Sequence, residues 1–397
     1  MEHSTIRLGW PTAEEGYVFD LDSLVAEFEM LTDKRKEQGK RYTLALVLLL
    51  LVLAKLCGED CPYGIAQWAR ERQKELVAML NLSYAGLPSH NTYRRVLRDG
   101  VEVGELQRAV SRFLSRLYEP ADSWLVSVDG KTLRGSIPAG QERGVHLLAA
   151  YLPQSGVVLL QVAVDGKENE ISAAPRLLQS LDLRGKVVMG DALLTQRALS
   201  KQIVAGGGDY VWLVKKNQPQ LRREIADLFA PQVCPPGSSP PPNDFRYVHR
   251  TNKGHGRLEQ RALTASSLLN GYLSWPHLQQ VFKLEHWATL LKDHTQREEV
   301  VYGLTSLSRE EADAERLLEI TRSYWGIENG LHYRRDKTLR EDDTRMTHCT
   351  LAMAMATLNN LVIGLMAWQD WRFLPSARRY YNAHVEGALA LLLRCPT

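Results

Sequence analysis

The chain has 397 residues, 44% of them hydrophobic, and its 49 basic side chains nearly cancel 46 acidic ones to leave a formal net charge of +3. That content is enough to bury a substantial core in two or three domains of a globular protein, and the small net charge does not by itself announce a nucleic-acid partner. Five cysteines at 57, 61, 234, 349 and 395 exclude a disulfide framework, and the close pair Cys57/Cys61 lacks the second pair that a zinc site needs.

In chain order, the first strong signal is the apolar run LALVLLLLVLA at 44–54, closed by Lys55. It falls short of the roughly 18 residues of a spanning segment and reads as a buried helix. Lys34, Arg35 and Lys36 lie too far from the N-terminus for a secretory signal, and no small-residue cleavage site follows. The expectation is a cytoplasmic, nucleoid-associated protein with no membrane partner. PSHNTYRRVLR (88–98) reads as a capped helix start whose Arg94, Arg95 and Arg98 suit a DNA backbone. From Gly104 to Tyr118, Leu106, Val110, Phe113, Leu114 and Leu117 recur at helical spacing, with Arg108, Arg112 and Arg116 on another face. A solvated arginine face explains these as well as DNA binding does. Residues 1–119 form the expected N-terminal helical, DNA-end-binding domain.

Beyond residue 120 the pattern alternates. WLVSVDG (124–130), HLLAAYLP (146–153) and GVVLLQVAV (156–164) read as a three-stranded meander, with a turn at Gln154-Ser155-Gly156. A helix over about 171–181, the strand KVVMGD, a helix over 195–205, the strand DYVWLVKKN (209–217) and a helix over 220–229 follow. This element order is that of an α/β, ribonuclease H-like fold, an analogy that licenses architecture and not activity. The segment 231–243 holds six prolines and reads as an exposed linker. Short alternating runs after it suggest a small β-rich insertion, giving expected divisions of 120–230, 231–307 and 308–397. In the last of these, a helix from Ser308 through Glu328 to Asp336 precedes a Met- and Ala-rich helix at 351–367.

Three carboxylates stand out in this scheme. Asp129 ends the first strand, Asp191 ends the fourth, and in a ribonuclease H-like sheet those strands are neighbours. Glu328 lies on the helix that would pack across the sheet. Converging carboxylates form a hard, oxygen-only site suited to Mg²⁺ or Mn²⁺. Two such ions about 3.5–4 Å apart would activate a water or a 3′-hydroxyl for in-line phosphoryl displacement. A lone Asp at a strand end is otherwise most often a turn cap.

The local sequences add a resemblance. SVDGKTLRGS (127–136), GDALLTQ (190–196) and RSYWGIENGLHYRRD (322–336) resemble the two Asp blocks and the Glu block of the DDE-type transposases of bacterial insertion sequences, in the group that includes the H-repeat-associated proteins. VKKNQ (214–218) and KGHGRLEQR (253–261) are similar to two further blocks, and PSHNTYRRVL to the associated N-terminal domain, so the likeness covers nearly the whole chain. It implies that Asp129, Asp191 and Glu328 hold the two metal ions. It also implies that Lys215, Asn217, Gln218, His255 and Arg257 contact DNA or support the ligands, with Lys131 and Arg134 of the first block as further DNA contacts. His255 and Arg257 between glycines also fit a simple turn.

Some positions depart from the family pattern. Leu194 stands where many relatives have His. Related enzymes with an inserted β-domain carry Tyr, Arg and Lys where this chain has Thr321, Tyr324 and Arg335. Arg322 and Arg335 are read as phosphate contacts, Arg335 lying two helical turns beyond Glu328 on nearly the same face. Tyr324 and Trp325 either stack on an unpaired base or belong to the core. Asp336 is the substitute should Glu328 not be the ligand. The resemblance thus implies a transposase that cuts double-stranded DNA at terminal inverted repeats and joins 3′-hydroxyls to a target, working as a homodimer on DNA. A domesticated, non-catalytic DNA-binding protein and a plain metal-dependent nuclease of the same fold are the alternatives.

Overall fold

The computed structural model describes residues 5–7, 16–83, 86–118, 124–165, 168–230, 243–254 and 256–394, and these fall into two compact units. Unit one comprises 1–122, 130–166 and 328–397, and unit two comprises 123–129 and 167–327. Most of the proline-rich stretch and His255 lie outside the described residues.

Unit one opens with the antiparallel pair β1 (Thr5–Arg7) and β2 (Val18–Asp20). Six helices follow: α1 (Leu24–Glu29), α2 (Leu44–Leu56), α3 (Pro62–Glu71), α4 (Gln73–Met79), α5 (His90–Arg95) and α6 (Val103–Leu117). Strand β3 (Leu125–Thr132) starts in unit two and enters unit one after Asp129, where the antiparallel pair β4 (His146–Leu152) and β5 (Val157–Val164) follows. Gly156 adopts φ +73° in the connecting turn, a conformation that favours glycine. Unit two then runs α7 (Glu170–Gln179), β6 (Val187–Gly190), α8 (Arg197–Ala205), β7 (Asp209–Val214) and α9 (Pro219–Leu228). It continues through β8 (Arg246–Gly254), β9 (Arg257–Ser266), β10 (Gln280–Leu290), β11 (Gln296–Thr305) and α10 (Ala314–Tyr324). Unit one closes with α11 (Cys349–Trp368), α12 (Leu374–Ala383) and α13 (Val385–Leu393).

Helix α2 is apolar on all sides, so it can be stable only if wrapped on all sides. Every residue from Leu44 to Leu56 is buried, and Thr43 caps the helix by accepting the Leu46 N–H at 3.2 Å. Helix α11 is also long and apolar enough to cross a membrane, a candidate the sequence reading passed over. Most of it is buried within unit one against α6 and β5, as befits a core helix. In α6 the predicted apolar stripe holds for Leu106, Val110, Phe113 and Leu114. Two of its three arginines serve the fold: Arg112 and Arg116 grip Glu27 of α1 at 2.7 and 2.8 Å.

The sheet of unit two runs β3-β6-β7-β11-β10-β9-β8. β3, β6 and β7 are parallel neighbours, and β11 joins β7 antiparallel through Tyr302↔Val214 to Thr305↔Val211. The stretch expected as a β-rich insertion pairs with this sheet through β11. Helix α10 covers one face, burying Leu317, Leu318, Ile320 and Tyr324 against Leu125, Val187, Met189, Leu263 and Phe282. The helix expected to continue from Ser308 to Asp336 stops earlier. After Tyr324 the chain widens into two π-helical turns, Ile327–His332 and Arg334–Thr338. Such turns shift the helical phase, so residues seven apart no longer share a face.

Lys55 is an unusual member of the α2 core. It is fully buried, its Nζ has no hydrogen-bond partner among the described residues, and Asp60 lies 3.8 Å away. Burial pushes its pKa down to about 8, opposed by Asp60. The unfolded chain, with an ordinary lysine, binds more protons between pH 8 and 10.5, so stability rises with pH across that window. Asp60 keeps Arg378 at 2.7 Å without Lys55. We expect Lys55→Met to be neutral or stabilising by about 1–3 kcal/mol at pH 7 in denaturant titrations and to lose the rise seen in the parent. A large destabilisation would show that the buried ammonium holds the fold.

Candidate active site

The pairing of β3 with β6 decides where two of the predicted acids fall. Its register is Leu125↔Val187, Val126↔Val188, Ser127↔Met189 and Val128↔Gly190, and the next position on each chain is Asp129 and Asp191. Adjacent strands lie about 4.8 Å apart, so the two aspartates follow side by side where the β3–β6 pairing ends, Asp191 just past β6 and Asp129 inside β3, which runs on to Thr132 and does not end at the acid as expected. Alternation along β3 puts Asp129 on the face of Leu125 and Ser127, the face that α10 covers.

Gly190 and Leu194 fix the local shape. A Cβ at Gly190 would stand 2.8 Å from Leu194 Cδ1 and 3.2 Å from the Trp212 ring, so only glycine admits this packing. Leu194, in place of the family's His, is 1% exposed and fills that space. Asp191 Oδ1 accepts the backbone N–H of Leu193 at 2.9 Å and of Leu194 at 3.3 Å, the turn-capping role weighed above, and Oδ2 takes part in neither bond. Burial raises the Asp191 pKa and the nearby Glu170 carboxylate adds to this, against the two N–H donors and Lys215. A carboxylate so placed holds its charge poorly alone and would be relieved by a cation, which fits an oxygen-only metal site.

Beside Asp191 opens a cleft of about 480 Å³ lined by Lys215, Lys216, Asn217, Arg222 and Glu299 among others. Lys215 is exposed there, as a phosphate contact would be. Asn217 and Gln218 have another task. Asn217 Nδ2 donates to Ala192 O at 2.6 Å and Gln218 Nε2 donates to Thr195 O, so both clamp the loop that carries Asp191. Glu170, Lys216 and Arg222 were missed by the sequence reading. Lys216 could have been read from its place beside Lys215, whereas Glu170 and Arg222 come from helix ends that only the fold brings here.

The Glu block sorts its charges. Lys131 of the first block pairs with Asp336 at 2.6 Å, and its side chain is only 10% exposed. Arg335 is fully buried and bonded to Glu341 at 2.8 Å, so it is no surface phosphate contact, the wide turns having rotated it away from the exposed Glu328. Glu328 has no ion-pair or hydrogen-bond partner among the described residues. No three His, Cys, Asp or Glu side chains form a metal-holding group among the described residues. Tyr324 belongs to the α10 core and cannot stack on a base, while Trp325 is 46% exposed. Arg322 is exposed on α10, Arg134 is exposed in a turn whose backbone N–H bonds Asp342, and Arg257 is held by Glu259 at 2.6 Å. Arg94, Arg95 and Arg98 are all exposed.

The clamp role of Asn217 is testable without an activity assay. Asn217→Ala is expected to lower stability by about 1 kcal/mol. It should also speed hydrogen exchange several-fold at the Leu193 and Leu194 amides while leaving β6 protected. Unchanged exchange at those amides would remove the clamp.

Comparison with known proteins gives the context. The transposase DDE domain family matches residues 120–362, and the DDE_Tnp_1-associated family matches residues 25–114. The H repeat-associated YhhI of Escherichia coli K12 is 25% identical over 365 residues, covering 91% of this chain and 94% of the relative. YncI of Escherichia coli O157:H7 is 26% identical over 351 residues, 87% of each chain. Among solved structures, the piggyBac transposase in a synaptic complex with hairpin DNA aligns over 94% of this chain and 80% of its own, with a TM-score of 0.46 and 10% identity. With these family matches over residues 25–114 and 120–362, the chain belongs to the DDE transposase family.

Proposed function

We propose that the protein is an active insertion-sequence transposase with a ribonuclease H-like catalytic core. On this reading it cuts double-stranded DNA at the inverted repeats of its element and transfers the 3′-hydroxyls into a target. The observation that carries the reading is the β3–β6 register, which brings Asp129 next to Asp191, the acid that lines a cleft bearing Lys215, Lys216 and Arg222. The parallel order β3-β6-β7, with the antiparallel β4–β5 pair lying in sequence between β3 and β6, supports the ribonuclease H-like assignment.

Asp129 and Asp191 would hold two Mg²⁺ or Mn²⁺ ions, with Glu328 as third ligand. Glu328 is preferred to Asp336 because Lys131 already neutralises Asp336. When bound, such ions activate the attacking oxygen and stabilise the leaving one. The chain's own groups do the remaining work. Asn217 and Gln218 hold the Asp191 loop in place, and Lys215, Lys216 and Arg222 attract and orient the phosphates. The exposed arginines of α5 and the turn after it contact the DNA ends, and a homodimer forms on the two ends.

Pure protein with Mg²⁺ and end-bearing DNA is expected to yield nicked and joined products. Asp129→Ala and Asp191→Ala should each lower cleavage by about 10³-fold or more, and EDTA should abolish it. Cleavage surviving Asp191→Ala would sink the metal site. Cleavage without joining would make the protein a nuclease, and DNA binding without cleavage a non-catalytic binder.

A further inference from the structure

Unit one contains a large cavity, apart from the metal site, into which the arginines of α5 and the turn after it face. It has a volume of about 1080 Å³ and opens between the start of α3, helix α5 with the turn after it, and the segment 344–348 that leads into α11. Arg94, Arg95, Arg98 and Arg345 line it, together with Tyr63 and His90, and no Asp or Glu is among its lining residues. Arg98 is engaged by its neighbour Asp99 at 2.7 Å. Arg94, Arg95 and Arg345 are exposed and have no ion-pair partner among the described residues. Tyr63 is 67% exposed, its ring inclined to that of His90 with centroids 5.9 Å apart.

Three features narrow the ligand. The cavity exceeds the roughly 300–1,000 Å³ of a small-molecule pocket, and four arginines with no lining acid suit a polyanion. The arginines come from two segments far apart in sequence, so the fold, and no local charge run, assembles the patch. The exposed Tyr63 ring, beside the half-buried His90, offers a flat surface that a duplex, with its bases already stacked inside, cannot use. Aromatic faces set in a cationic groove are what an unpaired nucleic-acid strand needs.

We propose that this cleft binds an unpaired stretch of DNA strand, with phosphates on Arg94, Arg95 and Arg345 and a base against Tyr63. The inference rests on DNA being the partner, as proposed above, and is independent of the metal site. It adds Tyr63, His90 and Arg345 to the DNA-contacting residues.

The test is fluorescence anisotropy of the full-length protein in EDTA, with a single strand, a fork with unpaired tails and a blunt duplex of one sequence, each across a salt series. The parent should prefer the single strand and the fork. Arg94→Ala/Arg345→Ala should weaken both by about tenfold or more and reduce the salt slope by about 1.4, the value for two single-strand phosphate contacts. Tyr63→Leu should weaken both by about fivefold at an unchanged slope, and Tyr63→Phe, which keeps the ring, should bind like the parent. Parent-like affinity and slope in the arginine variant would overturn the proposal, as would parent-like binding of the single strand and fork by Tyr63→Leu. Asp191→Asn should bind all three DNAs like the parent in EDTA and lose cleavage in the separate Mg²⁺ assay, so failure of the cleft and failure of the catalytic reading are told apart.

Discussion

The parallel contact between β3 and β6 is the constraint on which the candidate site depends. Side chains alternate across a sheet, so a slip of one residue between these strands would bring Asp129 beside Gly190 and turn the two acids to opposite faces. The register is locked from both sides. Leu125, Val187 and Met189 are fixed in the core beneath α10, and Gly190 lets Leu194 and Trp212 close over the end of β6. The acids are set by apolar packing, which is non-directional and cheap, and the polar groups near them only refine the position.

That division explains why several residues with the look of ligand contacts turned out to serve the protein itself. A buried backbone carbonyl needs a donor. The loop after Asp191 offers Ala192 and Thr195 carbonyls, which Asn217 and Gln218 satisfy. The first block is tied down in the same manner: Ser136 Oγ accepts the Val145 N–H and donates to Leu133 O, and a Cβ on Gly135 would collide with the Thr344 carbonyl at 2.2 Å. A motif of this kind mixes chemistry with close packing, and its letters do not say which is which.

Much of the fold was legible because its signals are local. Alternation located β3, β4, β5 and β7, the cap at Ser89 located α5, and a helix apolar on every side announced its burial. What escaped depended on longer-range effects. That the β-rich stretch pairs with the main sheet through β11 and β7 was not readable, because no periodicity encodes a partner strand. The π-helical turns after Tyr324 broke the 3.6-residue phase, so an inference that carried Arg335 to the face of Glu328 failed. Tyr324 and Arg335 look alike in sequence to exposed contacts, and only burial separates them.

The acids in and just after the Glu block can be ranked by what each would lose on taking a metal. Asp336 would have to give up Lys131, whose ammonium is nearly buried and would be left without its counter-charge. Glu341 would have to give up Arg335, fully buried, together with the bond from Asn359 at 2.8 Å. Uncompensated buried charges cost several kcal/mol, so both exchanges oppose binding. Glu328 is exposed and carries no such debt, and the wide turn around it keeps it clear of both pairs. The same turns that hid Arg335 therefore leave one acid of the block uncommitted, and that acid is the one the sequence pattern singled out.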